Sequence, residues 1–274
     1  PFAIEMVGDP FDVISSLYPT RFGIASAHIA KIYMRYAIRR ASAVRYVTSL
    51  SLQKNYPANP KIPTASISNV ILMDDDRLEV VRTGLQDSSE IRLVAIGSQN
   101  TTYKGHDIAI RAVARLRKMN VNVRIEILGF GGVQQSLIDL VHELAIEDAV
   151  VFRGHITDRF IIRQILDSSD LLIHPSRTEG LPRVIIEGSA RGLPVIGTNV
   201  GGIPELILVE NTVPVDDYPA LANRILSLAS DNEAYSAAST YAIQIARSFT
   251  FDIRKKKFSE WSKILLNITQ KENK

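Results

Sequence analysis

Short apolar runs alternate with amphipathic segments from Ile91 onward, and this alternation restricts the fold more than any other feature of the sequence. The runs are IRLVAIG, VRIEILG, VVFRG, LLIHP and VIGTN. Between them lie segments such as GHDIAIRAVARLRKM, in which apolar residues recur three and four positions apart, as on one face of a helix. Strands that alternate with helices form parallel sheets with helices on both faces. The pattern therefore predicts an α/β fold whose C-terminal part is a doubly wound, Rossmann-like parallel sheet.

The N-terminal part carries a shorter α/β pattern. IEMVG and AVRYVT are predicted strands on either side of a helix from about Ser26 to Ala41, and the polar segment 74–90 is predicted to connect two domains. We therefore divide the chain into a partial N-terminal α/β domain with its linker (1–85), a complete Rossmann-like domain (86–250) and a final helix (251–274) that can cross back to the N-terminal domain. Because the sequence opens inside a strand-like segment, we expect part of the N-terminal domain to be missing.

Composition excludes several classes of protein. The chain has 274 residues and no cysteine, so disulfide frameworks and thiolate metal sites are ruled out. No apolar run reaches the roughly 18 residues that a membrane-spanning helix needs. No signal peptide is visible in the sequence either. On these grounds we expect a cytoplasmic protein.

Basic residues are concentrated in the N-terminal part, although the net charge is only +3. No acidic residue lies between Asp12 and Asp74. In the same stretch, a helical stripe of Lys31, Arg35 and Arg39 is compatible either with a solvated face or with contact to an anionic membrane or a lipid-linked acceptor. The run RKKK in the final helix is open to the same interpretations, so peripheral attachment to the inner face of a membrane stays open. No nucleic acid is expected as a partner, because no recognition motif accompanies the charge.

The segment 175–205 carries the most specific signal for function. It contains two glutamates, Glu179 and Glu187, eight positions apart. Glu179 lies in the loop after LLIHP, and Glu187 lies in the helix that this loop opens. A strand–loop–helix unit of this kind directs backbone N–H groups and the positive end of the helix dipole at an anion. Carboxylates beside such a site indicate a ligand with both phosphate and hydroxyl groups, such as a nucleotide sugar.

Three further loops follow predicted strands and carry residues suited to the same ligand. GSQNTTYKGHD offers Ser98 and, at a helix start, Lys104, a compact charge that suits phosphate. GFGG offers Gly129 and Gly131, where a backbone can approach a ligand closely. RGHIT follows the third run. Because the carboxyl ends of parallel strands share one edge of a sheet, we expect these loops to line one cleft together with Glu179.

The sequence resembles the nucleotide-binding half of the family 4 retaining glycosyltransferases, which have the GT-B fold. The shared pattern is a glutamate, seven residues and a second glutamate, EGLPRVIIE, followed by GLPVIGTNVGGIPE. Upstream, YKGHD, EILGFGG and VVFRGHITD extend the match in the same order. The resemblance covers residues 91–230 closely and the rest loosely.

This resemblance implies an enzyme. A member of the family is a metal-independent, hexosyltransferase-like protein without a resident cofactor. It transfers a sugar from a nucleotide donor, here a UDP- or GDP-sugar, to a glycan or lipid-linked acceptor in the synthesis of polysaccharides and cell-surface glycans. The acceptor contacts would lie largely in the missing part of the N-terminal domain.

The resemblance also implies roles for individual residues. Lys104 would neutralise the donor diphosphate, Glu179 would contact sugar hydroxyls beside the reacting carbon, and Glu187 would bind the ribose. Asp9, in the sequence VGDP, is implied on the acceptor side, so Asp9, Lys104 and Glu179 are the candidate catalytic residues. No metal ligands are expected. The other implied donor-binding residues are Ser98, Gly129, Gly131, Gly154, His155, Ile156, Gly180 and Leu181.

Two candidates have structural alternatives. Asp9 lies in the turn sequence GDP, and serving that turn is favoured over a catalytic role. His174 precedes a proline at a predicted strand end, where a structural hydrogen bond is favoured over a role as a base.

The sequence departs from the family pattern at the cation beside Lys104. Most members carry an arginine at the end of the preceding strand, where this sequence reads GSQ. Arg177 or Arg183 is then the candidate for a second positive charge. The departure leaves another functional class open, namely a nucleotide-sugar-binding module or scaffold partner without activity. A GT-B phosphorylase or a sugar-nucleotide epimerase is a weaker alternative.

Overall fold

The computed structural model of the chain describes residues 2–87 and 89–272, so Pro1 and the last two positions of the predicted segment 251–274 lie outside it. Residues 3–66 form a small parallel sheet with strand order β1-β2-β3 and its helices. These elements are β1 (Ala3–Met6), α1 (Pro10–Leu17), α2 (Arg21–Arg40), β2 (Ala43–Tyr46), α3 (Ser51–Asn55) and β3 (Thr64–Ser66).

Residues 91–247 form a larger α/β unit, and a long helix follows it. The strands are β4 (Ile91–Ile96), β5 (Val123–Leu128), β6 (Val150–Gly154), β7 (Leu171–His174), β8 (Val195–Thr198) and β9 (Thr212–Val213). The helices are α4 (His106–Lys118), α5 (Gln134–Leu144), α6 (Arg159–Ser168), α7 (Arg183–Ala190), α8 (Tyr218–Ala229), α9 (Asn232–Arg247) and the final α10 (Phe251–Glu272). Across the described ranges, none of the helices combines the length and apolarity needed to cross a bilayer.

The larger sheet is fully parallel, with strand order β6-β5-β4-β7-β8-β9. Side chains of successive residues in its central strands point to opposite faces and pack into two separate hydrophobic cores. Leu93 and Ile125 pack beneath α4, α5 and α8, whereas Val94 and Leu128 pack on the opposite face with α6 and α7. Burying both faces removes the apolar runs from water, at roughly 1.5–3 kcal/mol for each fully buried Leu, Ile or Val side chain. The sheet is therefore doubly wound, as predicted.

The sequence-based prediction missed α1, β3 and β9. The strands β3 and β9 have three and two residues, too few for an alternating pattern to be visible. Helix α1 begins with Pro10 after Asp9, a favoured pair of first residue and N-cap. The helix predicted from Ser26 begins earlier, at Arg21, because the Thr20 side chain caps its first turn.

The final helix and one loop of the larger unit pack against the N-terminal sheet. Trp261 of α10 is buried against Ile67, which follows β3. Leu181, in the loop before α7, packs against the N-terminal core and also against one core of the larger sheet. Beside it, a Cβ atom on Gly180 would come 2.4 Å from the carbonyl oxygen of Val7. The loop before α7 therefore lies at the contact between the two halves.

A carboxylate of the larger unit caps a helix of the N-terminal half. Glu205, which follows β8, accepts hydrogen bonds from the backbone N–H groups of Ser49, Leu50 and Ser51 at 2.6, 3.2 and 2.7 Å. These groups lie at the start of α3, where unpaired N–H groups and the helix dipole favour a negative charge. This contact, the Glu205 clasp, holds the two halves together by polar bonds beside the apolar contact of Leu181.

We expect Glu205→Ala to lower the free energy of unfolding by about 1–2 kcal/mol, because three N–H groups lose a charged acceptor. Urea unfolding followed by circular dichroism measures the loss. Glu210→Ala is the matched control, since Glu210 lies nearby in the chain and is exposed. An equal loss in both variants would contradict a stabilising role for the clasp.

Candidate functional site

The larger sheet changes its direction of growth between β4 and β7, and the loops that leave these neighbouring strands diverge. In such sheets ligands bind in the crevice outside the carboxyl ends of the two strands. Lys104 comes from the loop after β4, and Glu179 comes from the loop after β7. Lys104 Nζ lies 2.5 Å from Glu179 Oε1, and the two side chains are only 16% and 9% exposed. Two of the three candidate catalytic residues thus meet in this crevice.

One oxygen of Glu179 receives three polar partners. Besides Lys104, His174 Nε2 lies 2.7 Å from Glu179 Oε1, and the Ser176 hydroxyl donates to the same atom at 2.8 Å. Both His174 and Ser176 are buried at the carboxyl end of β7. Among the described residues nothing donates to Oε2, so this second oxygen is free to accept a hydrogen bond from a ligand hydroxyl.

The surroundings of Glu179 keep its carboxyl group ionised. Burial alone would raise the pKa of Glu179, because a charge is poorly solvated in the protein interior. The hydrogen bonds and positive charges of His174 and Lys104 outweigh burial and lower the pKa of Glu179 to about 2. Glu179 is therefore a carboxylate at neutral pH and an acceptor of hydrogen bonds only.

Glycines give the lysine loop its shape. Lys104 ends a short 3-10 turn, and Gly105 follows it with a φ of +68°. A Cβ atom on Gly105 would lie 2.0 Å from the carbonyl oxygen of Pro175, in the loop after β7. A Cβ atom on Gly97 would lie 2.9 Å from Lys104 Cγ. Absence of side chains at these positions allows the two loops to approach closely and gives the lysine stem room.

The predicted glycine turn packs against the same loop. Gly129 has a φ of +136°, and a Cβ atom there would lie 1.9 Å from the carbonyl oxygen of Gly97. On Gly131, a Cβ atom would lie 2.2 Å from the backbone nitrogen of Asn100. Gln99 is fully buried and donates from Nε2 to the carbonyl oxygen of Gly129 at 3.1 Å. The turn after β5 therefore supports the loop after β4.

The remaining predicted residues of these strand ends lie beside the crevice. The Ser98 hydroxyl accepts a backbone N–H at 3.3 Å within its own loop. Gly154 has a φ of +67°, and its carbonyl oxygen accepts a hydrogen bond from the Gly129 N–H at 2.8 Å. His155 is exposed, whereas Ile156 is half-buried against one core of the sheet. The loop after β6 thus continues the row formed by the loops after β4 and β5.

Within the part of the chain that the structure describes, the second motif glutamate bonds to neither Lys104 nor Glu179. Glu187 is 27% exposed on α7, and its carboxylate lies 2.7 Å from Arg183 Nε, one helical turn earlier. Arg183 was a candidate for the second cation of the site. Its bond to Glu187 instead holds it along the surface of α7.

The other candidate cation is also engaged. Arg177 donates to both carboxylate oxygens of Asp107 at 2.9 and 2.7 Å, and its Nε lies 2.7 Å from Asp216. The Arg177 backbone N–H donates to the carbonyl oxygen of Tyr103 at 2.7 Å. These contacts join the loop after β7 to the loop after β4. Arg177 therefore stabilises the walls of the crevice and is compensated by two carboxylates.

Asp9 has a structural role among the described residues. Its side chain is buried, and its carboxylate accepts hydrogen bonds from Phe11 N at 2.9 Å, from Asn55 Nδ2 at 3.1 Å and from the Tyr56 hydroxyl. Burial and the Asp9 carboxylate raise the pKa of Tyr56. The contacts give Asp9 a structural role, which is the capping of α1 and not the predicted turn in GDP, and its catalytic role stays a prediction.

Sequence reasoning missed the roles of Ser176, Gln99 and His106. His106 opens α4 and is buried, and its Nε2 donates to the carbonyl oxygen of Gly97 at 3.2 Å. Burial lowers the pKa of His106 to about 4, so the ring is neutral at pH 7 and acts as a support beneath the loop of Lys104. The available signal was that the polar residues Ser98 and Gln99 directly follow the apolar run IRLVAIG, and that Ser176 directly follows LLIHP.

Comparison with known proteins identifies the family. A family described as Glycosyl transferases group 1 matches residues 90–231. Protein CapJ of Staphylococcus aureus is 31% identical over 202 residues, which are 74% of this chain and 50% of CapJ. The putative colanic acid biosynthesis glycosyltransferase WcaL of Escherichia coli is 34% identical over 134 residues, which are 46% of this chain and 33% of WcaL. The chain belongs to the Glycosyl transferases group 1 family and spans half or less of the length of these relatives.

A solved structure agrees with the predicted fold. HepE of Anabaena, in complex with UDP and glucose, superimposes with a TM-score of 0.68 at 22% identity, over 96% of this chain and 71% of HepE. At this identity the similarity shows the fold alone. The predicted GT-B-type α/β fold and the resemblance to a glycosyltransferase family are thus confirmed.

The pKa of Glu179 predicts how stability depends on pH. The folded pKa of about 2 lies below the ordinary value of 4.5. The stabilisation is therefore fully present above pH 4.5 and is lost as the pH falls from 4.5 towards 2. The loss over this interval is on the order of 3 kcal/mol. We expect the difference in unfolding free energy between the native chain and Glu179→Gln to shrink as the pH falls from 7 to 3, as measured by urea titrations.

The control for this experiment is Glu210→Gln, which removes an exposed carboxylate. Its difference from the native chain should change little with pH. A difference for Glu179→Gln that stays constant from pH 7 to pH 3 would show that Glu179 is not held ionised by its neighbours.

Proposed function

We propose that the chain is the donor-binding part of a retaining glycosyltransferase. The enzyme transfers a sugar from a nucleotide-sugar donor to a glycan or lipid-linked acceptor in the synthesis of cell-surface glycans. The observation that carries the proposal is the largely buried Lys104–Glu179 pair at the switch point of the sheet. The name of WcaL, a colanic acid biosynthesis glycosyltransferase, supports a role in polysaccharide assembly.

A UDP-sugar is the proposed donor. HepE was solved with UDP and glucose, and its fold is shared over nearly the whole of this chain. The donor diphosphate would lie against Lys104 and against the start of α7, where unpaired N–H groups and the helix dipole favour an anion. A GDP-sugar stays the alternative.

The residues of the crevice have separate tasks in this reaction. As the bond between the anomeric carbon and the diphosphate breaks, negative charge grows on the leaving phosphate. Lys104 and the backbone N–H groups of Gly180 and Leu181 stabilise that charge. Glu179 accepts hydrogen bonds from sugar hydroxyls through Oε2 and so orients the ring. Glu187 binds the ribose hydroxyls of the nucleotide. No step of this reaction requires a metal ion.

Lys104 changes partners when the donor binds. Its ammonium group lies against the Glu179 carboxylate, which keeps both charges paired in a poorly solvated place. A diphosphate brings a second, stronger anion to the same ammonium group. His174 and Ser176 then maintain the position of the Glu179 carboxylate while Lys104 turns to the phosphate.

An inactive nucleotide-sugar-binding module is the second candidate function. The observation that favours it is the engagement of both candidate cations, since Arg177 is bound by Asp107 and Asp216, and Arg183 is bound by Glu187. Lys104 would then face the diphosphate alone. Such a module binds the donor but neither transfers nor hydrolyses its sugar.

Binding of UDP tests the donor site directly. We expect UDP without added metal to raise the melting temperature of the chain, because a ligand that binds only the folded state stabilises it. Lys104→Ala should weaken UDP binding about tenfold or more, the size expected for loss of a charge-assisted bond to phosphate. Calorimetric titration measures the affinity of both proteins.

Lys118→Ala is the matched control, since Lys118 is the last residue of α4 and is exposed at the end of that helix opposite Lys104. Its affinity for UDP should equal that of the native chain. Equal losses in the two variants would indicate unspecific attraction, and absence of any UDP or GDP binding would contradict the donor site. Donor binding without transfer or hydrolysis by the full-length protein would select the inactive module.

We also propose that the basic N-terminal half contacts an anionic membrane surface. Helix α2 exposes Phe22, Ile29 and Ile32 by 88%, 68% and 68%. The basic residues of the same helix lie between and beyond these apolar side chains. Apolar side chains beside basic ones suit binding at an anionic lipid interface, where burial and charge act together.

Vesicle co-sedimentation tests this contact. We expect the chain to bind vesicles of phosphatidylglycerol, and binding should weaken as salt is added. The double variant Ile29→Ser with Ile32→Ser should bind less, whereas Leu266→Ser, which changes an exposed leucine of α10, should bind as the native chain does. Equal binding to phosphatidylcholine vesicles would contradict the electrostatic part of the proposal.

A further inference from the structure

A cavity of about 450 Å³ lies between the two halves of the molecule, beside the final helix. Its walls are the loops after β2 and β3, the loop before α7, the Glu205 turn, and the adjoining ends of α9 and α10. Lys104, Glu179 and Glu187 are not among its lining residues. Cavities of this size at domain interfaces are common binding sites for small molecules.

The charges that face this interdomain cavity are mainly positive. Arg254 and Lys257, from the run RKKK of the final helix, line one wall a helical turn apart. Glu205 is the one carboxylate among the described lining residues, and it is already bound by three backbone N–H groups in the clasp. Among the described residues, neither cation has a carboxylate within salt-bridge distance. The cavity therefore attracts an anion.

The surroundings of Arg254 strengthen this conclusion. Its guanidinium group lies 4.3 Å from the centre of the Phe258 ring, and Arg45 lies 4.9 Å from the same ring. Arg45 is buried and pairs with Glu5, and burial together with the charge of Arg254 lowers the pKa of Arg45. Within the described ranges no carboxylate lies within salt-bridge distance of Arg254, whose Nε donates to the carbonyl oxygen of Ser68 at 3.1 Å. Two arginines thus share one ring, and only one of them is paired with an acid.

The rest of the lining suits a molecule with hydroxyl groups. The hydroxyls of Ser49, Ser248 and Tyr241 line the cavity and make no hydrogen bond to other side chains or to the backbone of the described residues. The rings of Tyr241 and Phe249 and the side chain of Leu181 add apolar surface against which a sugar ring can pack. A lining that combines two cations, these three hydroxyl groups and two aromatic rings matches a phosphorylated sugar or polyol.

We propose that this interdomain cavity binds a small phosphorylated sugar or polyol, with its phosphate on Arg254 and Lys257. The site shares Leu181 with the donor crevice but contains neither Lys104 nor Glu179, and binding there does not depend on the proposed transfer reaction. Because both halves contribute walls, a bound ligand also favours the arrangement in which they are in contact.

The fluorescence of Trp261 can report binding in this cavity. Trp261 is the one tryptophan of the sequence, it is buried, and it lies one helical turn after Lys257. We expect glucose 6-phosphate at constant ionic strength to change its fluorescence in a saturable way. Glucose and inorganic phosphate, tested separately, should each bind at least about tenfold more weakly, because each lacks one half of the contacts.

Two lysine variants distinguish specific binding in the cavity from unspecific attraction by the positive charge of the final helix. Lys257→Gln should weaken binding of glucose 6-phosphate about tenfold or more, since a charge-assisted hydrogen bond is lost. Lys256→Gln removes the same charge from the neighbouring position, which is exposed and does not line the cavity, and its affinity should be unchanged. Equal losses in the two variants, or a fluorescence change that does not saturate, would overturn the proposal.

A further arm separates this site from the donor crevice. Lys104→Ala and an excess of UDP should both leave the binding of glucose 6-phosphate unchanged, and displacement by UDP would overturn the proposal. Incubation of the loaded full-length protein with a UDP-sugar, followed by mass spectrometry, then identifies the source of the ligand. A sugar phosphate that has gained a sugar would identify the cavity ligand as an acceptor. A sugar phosphate that is recovered unchanged would identify the ligand as an effector. The cavity is occupied in either case.

Discussion

The buried carboxylate of Glu179 is the interaction on which the geometry of the crevice depends. A carboxylate with 9% of its side chain exposed is costly unless positive charge and hydrogen-bond donors surround it. The partners are Lys104, in the loop after β4, and His174 and Ser176, at the end of β7 and in the loop after it. Only adjacency of β4 and β7 brings these loops together, so the strand order of the sheet is a condition for the ionised state of Glu179.

Close backbone contacts make this arrangement rigid. Gly105, Gly129 and Gly201 all have positive φ, and a Cβ atom on any of them would lie within 2.0 Å of a carbonyl oxygen of a neighbouring loop. For Gly201 that oxygen belongs to Glu179 itself. The loops after β4, β5, β7 and β8 are therefore packed backbone against backbone, which fixes the backbone that carries Lys104 and Glu179. Preorganisation of this kind reduces the free energy that ordering the site would cost during binding.

The sequence predicted the parts that depend on local pattern. The strands β4 to β8 are short apolar runs between helical patterns, and Lys104 and Glu179 lie in motifs whose order along the chain identifies the fold. Contacts between residues that are distant in the sequence could not be predicted from it. Nothing near Arg177 in the sequence indicates that Asp107 and Asp216 occupy its guanidinium group. The very short strands β3 and β9 were missed because their length is set by pairing with neighbours and not by their own composition.

The loop before α7 connects the chemistry of the crevice to the contact between the two halves. Glu179 faces Lys104, while Gly180, the next residue, lies against Val7, and Leu181 packs into the cores of both halves. A displacement of one half relative to the other must therefore act on a segment joined to Glu179 by a single peptide bond. The Glu205 clasp acts on the same contact from the neighbouring turn, since the Gly202 N–H donates to the carbonyl oxygen of Gly180 at 2.7 Å. The loop before α7 consequently takes part both in the donor crevice and in the interdomain contact. A ligand in the cavity lined by Leu181 and Glu205 therefore contacts this loop directly.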